Sequence, residues 1–244
     1  MKTLFILLYV LLGIVALCFL VLLFFSLLVN PRKEYNKDSK LYRFLLHTAG
    51  VIVLRFMRVK VYVRGTEKLP KDRKLLFVCN HRSNFDPIIT WCALKEHKLA
   101  FISKKENFKI PIFGQIIRKC CFMAIDRESP KKAIATINRA SELLGSQEVS
   151  VCVYPEGKRS KDGTLLEFHS GVFRIAQKAH SPIAVLSING TEKIRKAYPF
   201  HSSRVDITVV DVIPTERVCS TRTNDLCENA REKIEINLKQ KLEN

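Results

Sequence analysis

The chain has 244 residues, of which 41 are Lys or Arg and 23 are Asp or Glu, giving a formal net charge of +18. That length supports one sizeable α/β domain plus a small appendage, and the excess of cations points to anionic partners. The eight cysteines include no Cys-x-x-Cys pair and sit largely in apolar runs, which excludes a disulfide framework in favour of small buried hydrophobes in a reducing compartment. His47, His97, His169, His180 and His201 lack the spacing of a zinc ligand set, so no metal site is predicted.

Residues 3 to 29 are almost continuously apolar and carry no charge. One helix of that length suffices to cross a hydrocarbon core, and the run exceeds a signal-peptide core and lacks a small-residue cleavage site. A membrane-anchoring helix over 1–35 is therefore expected. Arg32, Lys33 and Lys37 follow it while only Lys2 and the amino terminus precede it, which places the remaining chain on the cytoplasmic face. The expected location is the cell membrane, or the endoplasmic reticulum membrane in a eukaryote.

From Lys40 to Lys60, apolar residues (Leu41, Phe44, Leu45, Val51, Ile52, Leu54, Phe56) alternate with Arg43, Arg55, Arg58 and Lys60. The pattern predicts an amphipathic helix over 36–60, either lying among anionic lipid headgroups or packed on the domain core. The rest alternates strand and helix patterns. Strands are expected at Val59–Val63, Leu75–Cys79, Leu99–Ser103, Phe122–Ile125, Val149–Tyr154, Ile183–Ile188 and Val205–Val210. Helices are expected at Pro87–Glu96, Ile112–Lys119, Pro130–Leu144, Gly171–Lys178 and Asn224–Leu242. Such alternation predicts an α/β fold, a mostly parallel sheet flanked by helices, as one domain over 61–244.

The chemistry gathers at the ends of these strands. Asn80 to Pro87 reads Asn-His-Arg-Ser-Asn-Phe-Asp-Pro directly after the apolar run Leu75 to Cys79. His81 and Asp86, five residues apart, would sit about 140° apart on a regular helix, so they meet only if the intervening residues form a loop. If they meet, the carboxylate fixes the imidazole tautomer and steadies the imidazolium that forms when His81 takes a proton. The plainer alternative is that Asp86 caps a helix whose first residue is Pro87. Asp126-Arg127 closes another strand, where Arg127 offers phosphate a planar fork of donors or pairs with Asp126 or Glu128. Glu156-Gly157-Lys158-Arg159 follows a third, with Gly157 permitting a tight turn beside two cations, or simply a solvated turn. Lys104 and Lys105 end a fourth. No Gly-x-Ser-x-Gly nucleophile elbow is present.

These blocks, in order and spacing, resemble the 1-acylglycerol-3-phosphate acyltransferases: His81 to Asp86 (a His-x4-Asp motif), Ile125-Asp126-Arg127, and Tyr154-Pro155-Glu156-Gly157-Lys158-Arg159-Ser160 extended through Asp162-Gly163 to Phe168 and Gly171. The resemblance covers roughly residues 60 to 215. The chain has Cys121 where the second block usually opens with Gly, Lys158 where the third usually has Thr, and a fourth block, Ser181 to Val185, without its second proline. The resemblance implies an acyltransferase domain with an amino-terminal helical membrane motif, in which His81 is the general base and Asp86 orients it. It further implies acceptor phosphate on Arg127 and Arg159 with Lys104 at the pocket mouth, and Glu156 with Gly157 shaping the loop or binding the acceptor. The implied substrates are lysophosphatidic acid and an acyl-CoA or acyl-carrier-protein thioester as cosubstrate, with no other cofactor. Another lysophospholipid or glycerol-3-phosphate is the alternative acceptor. A non-catalytic module for anionic lipid and a thioesterase or lipase are the rival classes; nucleic acid is not an expected partner, since no binding motif accompanies the charge.

Overall fold

The structure is a computed structural model that describes residues 2–160 and 163–240, apart from the side chains at positions 4, 7, 8 and 11. In chain order the elements are α1 (Lys2–Leu27), α2 (Lys40–Phe56), β1 (Val59–Arg64), β2 (Leu76–Cys79), α3 (Asp86–Ala93), β3 (Leu99–Lys104), α4 (Phe113–Lys119), β4 (Met123–Ile125), α5 (Pro130–Gly145), β5 (Ser150–Val153), α6 (Arg174–Ala179), β6 (Ile183–Asn189), α7 (Ile194–Ala197), β7 (Ser203–Ile213), α8 (Thr215–Ser220) and α9 (Thr223–Gln240). The seven expected strands are all present within three residues of their predicted bounds. Leu242, the predicted end of the last helix, and Asp162 of the third motif block lie outside the described residues. The short helices α7 and α8 were not predicted, because one or two turns leave too few residues for a period to be read.

The described strands form one seven-stranded sheet in the order β1-β7-β6-β2-β5-β3-β4. β6, β2, β5, β3 and β4 are parallel, whereas β7 runs antiparallel to β6 and carries β1 parallel to itself. Every residue of β2 and β5 is buried, and only Asn189 at the end of β6 is not. These are the strands covered on both faces, which explains why they read as continuous apolar runs, while the edge strand β1 is mostly exposed. Phe77, Leu76, Ile183 and Leu186 are completely buried there, each contributing roughly 1.5–3 kcal/mol.

α2 ends at Phe56, earlier than the predicted 60, because Lys60 is drawn into β1 by pairing with Arg204. Its inner face buries Tyr42 and Leu54 and approaches α3 so closely at Gly50 that an added Cβ would lie 2.8 Å from Cys92 Sγ. Its outer face exposes Leu41, Phe44, Ile52 and Phe56, which fall along one helical stripe. The inner face thus packs on the domain core, while the outer face leaves an apolar stripe uncovered among the described residues. α1 exposes most of its described apolar side chains, and only its end is tied down, where Tyr42 donates to the Phe25 carbonyl at 2.9 Å. The expected crossing helix over residues 3 to 29 falls partly on Leu4, Leu7, Leu8 and Leu11, whose side chains lie outside the described set. Among the described residues, no helix is long and apolar enough to cross a membrane.

Candidate active site

The five parallel strands all point the same way, so the loops after β2, β3, β4, β5 and β6 gather at one end of the sheet, the usual ligand-binding end of such folds. Asn80 opens the central loop. Its side chain imitates a strand partner: Oδ1 accepts from the Ile188 N–H at 2.8 Å and Nδ2 donates to the Ile188 carbonyl at 2.9 Å. The next residue, His81, is thereby held at the mouth of the sheet.

The loop brings His81 and Asp86 together. Asp86 Oδ2 takes the imidazole Nδ1 at 2.8 Å and also accepts the backbone N–H groups of Arg82 at 2.6 Å and Ser83 at 2.7 Å. Helix capping does not explain Asp86: Phe85 occupies the cap position without a side-chain cap, and the Asp86 carboxylate turns back into the loop. Its side chain is completely buried, whereas 18% of the His81 side chain reaches the surface. An ionised carboxylate can only accept, so Nδ1 carries the ring proton and Nε2 keeps a free lone pair. The ring stacks on Tyr154 with centroids 4.5 Å apart, and Tyr154 stacks in turn on Phe101. An imidazole so fixed on two sides can take a proton through Nε2 without reorienting.

Glu156 supports the same loop from β5. Its Oε1 accepts the His81 backbone N–H at 2.5 Å and its Oε2 accepts the Leu166 N–H at 3.1 Å. Burial pushes its carboxyl above the usual range, an effect opposed by those two N–H groups and by the nearby imidazole. Gly157 has φ of 69°, and a Cβ there would lie 3.1 Å from the His169 ring. That turn carries Arg159 beside the central loop, since the next residue, Ser160, donates its N–H to the His81 carbonyl at 3.0 Å.

Arg127 and Arg159 are both exposed and make no hydrogen bond or ion pair among the described residues. The plain reading of Arg127 as an ion pair fails: Asp126 is taken by Lys105 and Lys132, and Glu128 by Lys105. Lys104 is exposed at the end of β3, in register with Ile125 of β4 and so next to the Arg127 loop. β4 stands three strand spacings from β2, about 14 Å. The structure thus joins His81, Asp86 and Glu156 directly, sets Arg159 beside them, and leaves Arg127 and Lys104 across an open mouth.

Sequence reasoning assigned no role to Arg82, Asn80 or Tyr154. Arg82 is nearly buried, bonding Asn189 Oδ1 and the Gly163 carbonyl at 2.6 Å each and lying 3.7 Å from Glu192, so it ties three loops together. Its position within the motif was the available signal, but an Arg in a polar loop reads locally as solvated.

The family model described as Acyltransferase matches residues 60–189. The chain is 33% identical over 214 residues to the chloroplastic 1-acyl-sn-glycerol-3-phosphate acyltransferase of Arabidopsis thaliana, covering 86% of this chain and 56% of that one. It is 29% identical over 164 residues to the 1-acyl-sn-glycerol-3-phosphate acyltransferase of Limnanthes douglasii, covering 67% of this chain and 57% of the relative. The chain therefore spans little more than half the length of these relatives. Among solved structures it resembles the 1-acyl-sn-glycerophosphate acyltransferase PlsC of Thermotoga maritima, with a TM-score of 0.70, 26% identity, and coverage of 90% of this chain and 86% of that one.

Proposed function

Because this chain belongs to the acyltransferase family, we propose that it is a membrane-associated enzyme moving an acyl chain from an acyl-CoA or acyl-carrier-protein thioester to the sn-2 hydroxyl of lysophosphatidic acid, giving phosphatidic acid. The observation that carries the reading is the 2.8 Å contact between His81 Nδ1 and a fully buried Asp86, with the imidazole rim open to the surface.

His81 Nε2 takes the proton of the acceptor hydroxyl as its oxygen attacks the thioester carbonyl. Asp86 stabilises the imidazolium that forms. Collapse of the tetrahedral adduct breaks the carbon–sulfur bond, and the imidazolium returns its proton to the departing thiolate, so no covalent acyl-enzyme is required. Arg159 and Arg127, with Lys104 at the rim, hold the acceptor phosphate. Their contribution is orientation, since a phosphate fixed between them and the central loop keeps the hydroxyl within reach of Nε2. Glu156 and Gly157 act through the loop backbone. The exposed apolar stripe of α2 and the apolar side chains of α1 support membrane association, with the catalytic domain on the cytoplasmic face.

The test supplies lysophosphatidic acid with labelled acyl-CoA or acyl-carrier protein separately to membranes holding the wild type or His81→Ala. Phosphatidic acid from the wild type, and a loss of about 10²–10⁴-fold in the variant, is the expected result and names the donor. Equal product from both proteins would overturn the assignment of the base. Product only with another lysophospholipid or glycerol-3-phosphate would replace the acceptor.

A further inference from the structure

The connection between β6 and β7, residues 190–202, holds an exposed aromatic and basic surface that the acyl-transfer reading does not use. Phe200 is 80% exposed, and Lys193, Arg195, Lys196 and His201 of the same connection are exposed too, with no acidic residue after Glu192 in it. A benzyl group displayed so fully to water beside several cations has no packing role in the domain.

The surface is not a loose loop. Arg58 donates through Nη1 to the Pro199 carbonyl at 3.0 Å, and the Tyr198 and His201 N–H groups reach the Ile194 and Ala197 carbonyls at 3.2 and 2.8 Å. Tyr198 lies against Phe56, the last residue of α2, with ring centroids 5.3 Å apart. Phe56 also ends the exposed stripe of Leu41, Phe44 and Ile52, so the aromatic tip extends that stripe beyond the helix. The strand directions decide where this happens. β6 ends at the same end of the sheet as β2, and β1 and β7 begin there, so the tip, which leads into β7 and packs on Phe56 and Arg58 before β1, shares the end that carries His81, two to three strand spacings away, roughly 10–14 Å.

We propose that Tyr198 and Phe200, with Arg195 and Lys196, form a second membrane contact that inserts into the headgroup region of an anionic bilayer. Aromatic rings with apolar bodies favour that depth, and the cations meet lipid phosphates above it. Two contacts, α2 and this tip, fix the domain's tilt as well as its attachment, and turn the His81 end of the sheet toward the leaflet. The acceptor then reaches the base from the lipid side. The inference rests on the membrane-associated part of the functional reading and is independent of the reaction.

Tryptophan fluorescence tests it on the full chain, reconstituted in vesicles of phosphatidylcholine with phosphatidylglycerol. The single native Trp91 is buried, its indole N–H has no hydrogen-bond partner among the described residues, and a phenyl ring still offers a face to the Arg43 guanidinium 4.5 Å above it, so Trp91→Phe supplies a dark background without orphaning a polar group. In that background Phe200→Trp and, separately, Phe44→Trp are introduced; the same pair in the native Trp91 chain, read as difference spectra, serves if the background variant does not fold. The expected result for both is blue-shifted emission, quenching by brominated acyl chains and protection from aqueous iodide. For position 200 alone, these effects weaken when Arg195→Glu and Lys196→Glu are added. Lipid quenching at position 44 with solvent-like emission at 200 would overturn the second contact while leaving membrane association standing. Solvent-like emission at both would overturn the two together.

Discussion

Replacing Asp86 with Asn separates the charge of this residue from its shape. Oδ2 accepts three hydrogen bonds while Oδ1 has no partner among the described residues, so an Asn with its carbonyl oxygen in the Oδ2 position keeps all three acceptances and turns its amide toward the unused side. The three acceptances should therefore survive, but the two amide hydrogens enter a fully buried site with no acceptor among the described residues, at about 1–3 kcal/mol, so the melting temperature should fall by about 2–12 °C while the loop geometry is kept. What disappears is the negative charge that meets the imidazolium. A hydrogen bond to a charged group is worth about 1.5–3 kcal/mol against about 0.5–1.5 for a neutral one, so the transition state loses roughly 1–2 kcal/mol. That corresponds to a fall in kcat of about 5- to 30-fold. Complete burial of the carboxylate carries the expected loss toward the upper end. The assay is the initial rate of thioester consumption at saturating substrates, with thermal melting of the same preparations. A kcat within twofold of wild type, measured below the melting range of both proteins, would refute the view that His81 becomes charged during the reaction.

Three other outcomes follow from the same site. Gly157→Ala forces a left-handed residue and a 3.1 Å contact with His169, at about 1–2 kcal/mol, so the melting temperature should fall by about 2–6 °C and activity should fall with the displaced Arg159 loop; an unchanged melting curve would mean the turn relaxes freely. Burial raises the Glu156 carboxyl, so the folded chain holds its proton more tightly than the unfolded one, and the stability it contributes is greatest at low pH and declines as pH rises through the ordinary to the raised range. The difference in melting temperature between wild type and Glu156→Gln should shrink over that interval, and a difference that grows would reverse the assignment. Arg127→Ala and Arg159→Ala remove exposed groups that have no partner among the described residues, so stability should hold while KM for the phosphorylated acceptor rises about tenfold each; a change confined to the acyl donor's KM would place phosphate recognition elsewhere.

Much of the fold and part of the site are legible in the chain itself. The apolar runs of β2, β5 and β6 name the central strands because a strand buried on both faces has nowhere to put a polar residue. The His81 to Asp86 spacing required a loop, and a loop is what joins them. Cys121 illustrates the limit: nothing in its apolar neighbourhood sets it apart, and only the fold shows its φ of 59°, a conformation that glycine adopts without strain.

Other features depend on partners far away in sequence. Glu156 holds the His81 backbone across 75 residues, and Arg82 joins the loops after β2, β5 and β6, yet neither leaves a periodic trace in its own neighbourhood. The reversal of β7 is also silent, since the inward and outward alternation of a strand is the same in either direction. The sequence by itself determined which segments are strands and which residue types await at their ends, because burial and backbone geometry act over a few neighbouring positions. Only tertiary structure decided which ends share a mouth, what the Asp86 carboxylate faces, and that the aromatic tip at Phe200 lies at the His81 end of the sheet, because strand order and direction are fixed by contacts between segments far apart in the chain.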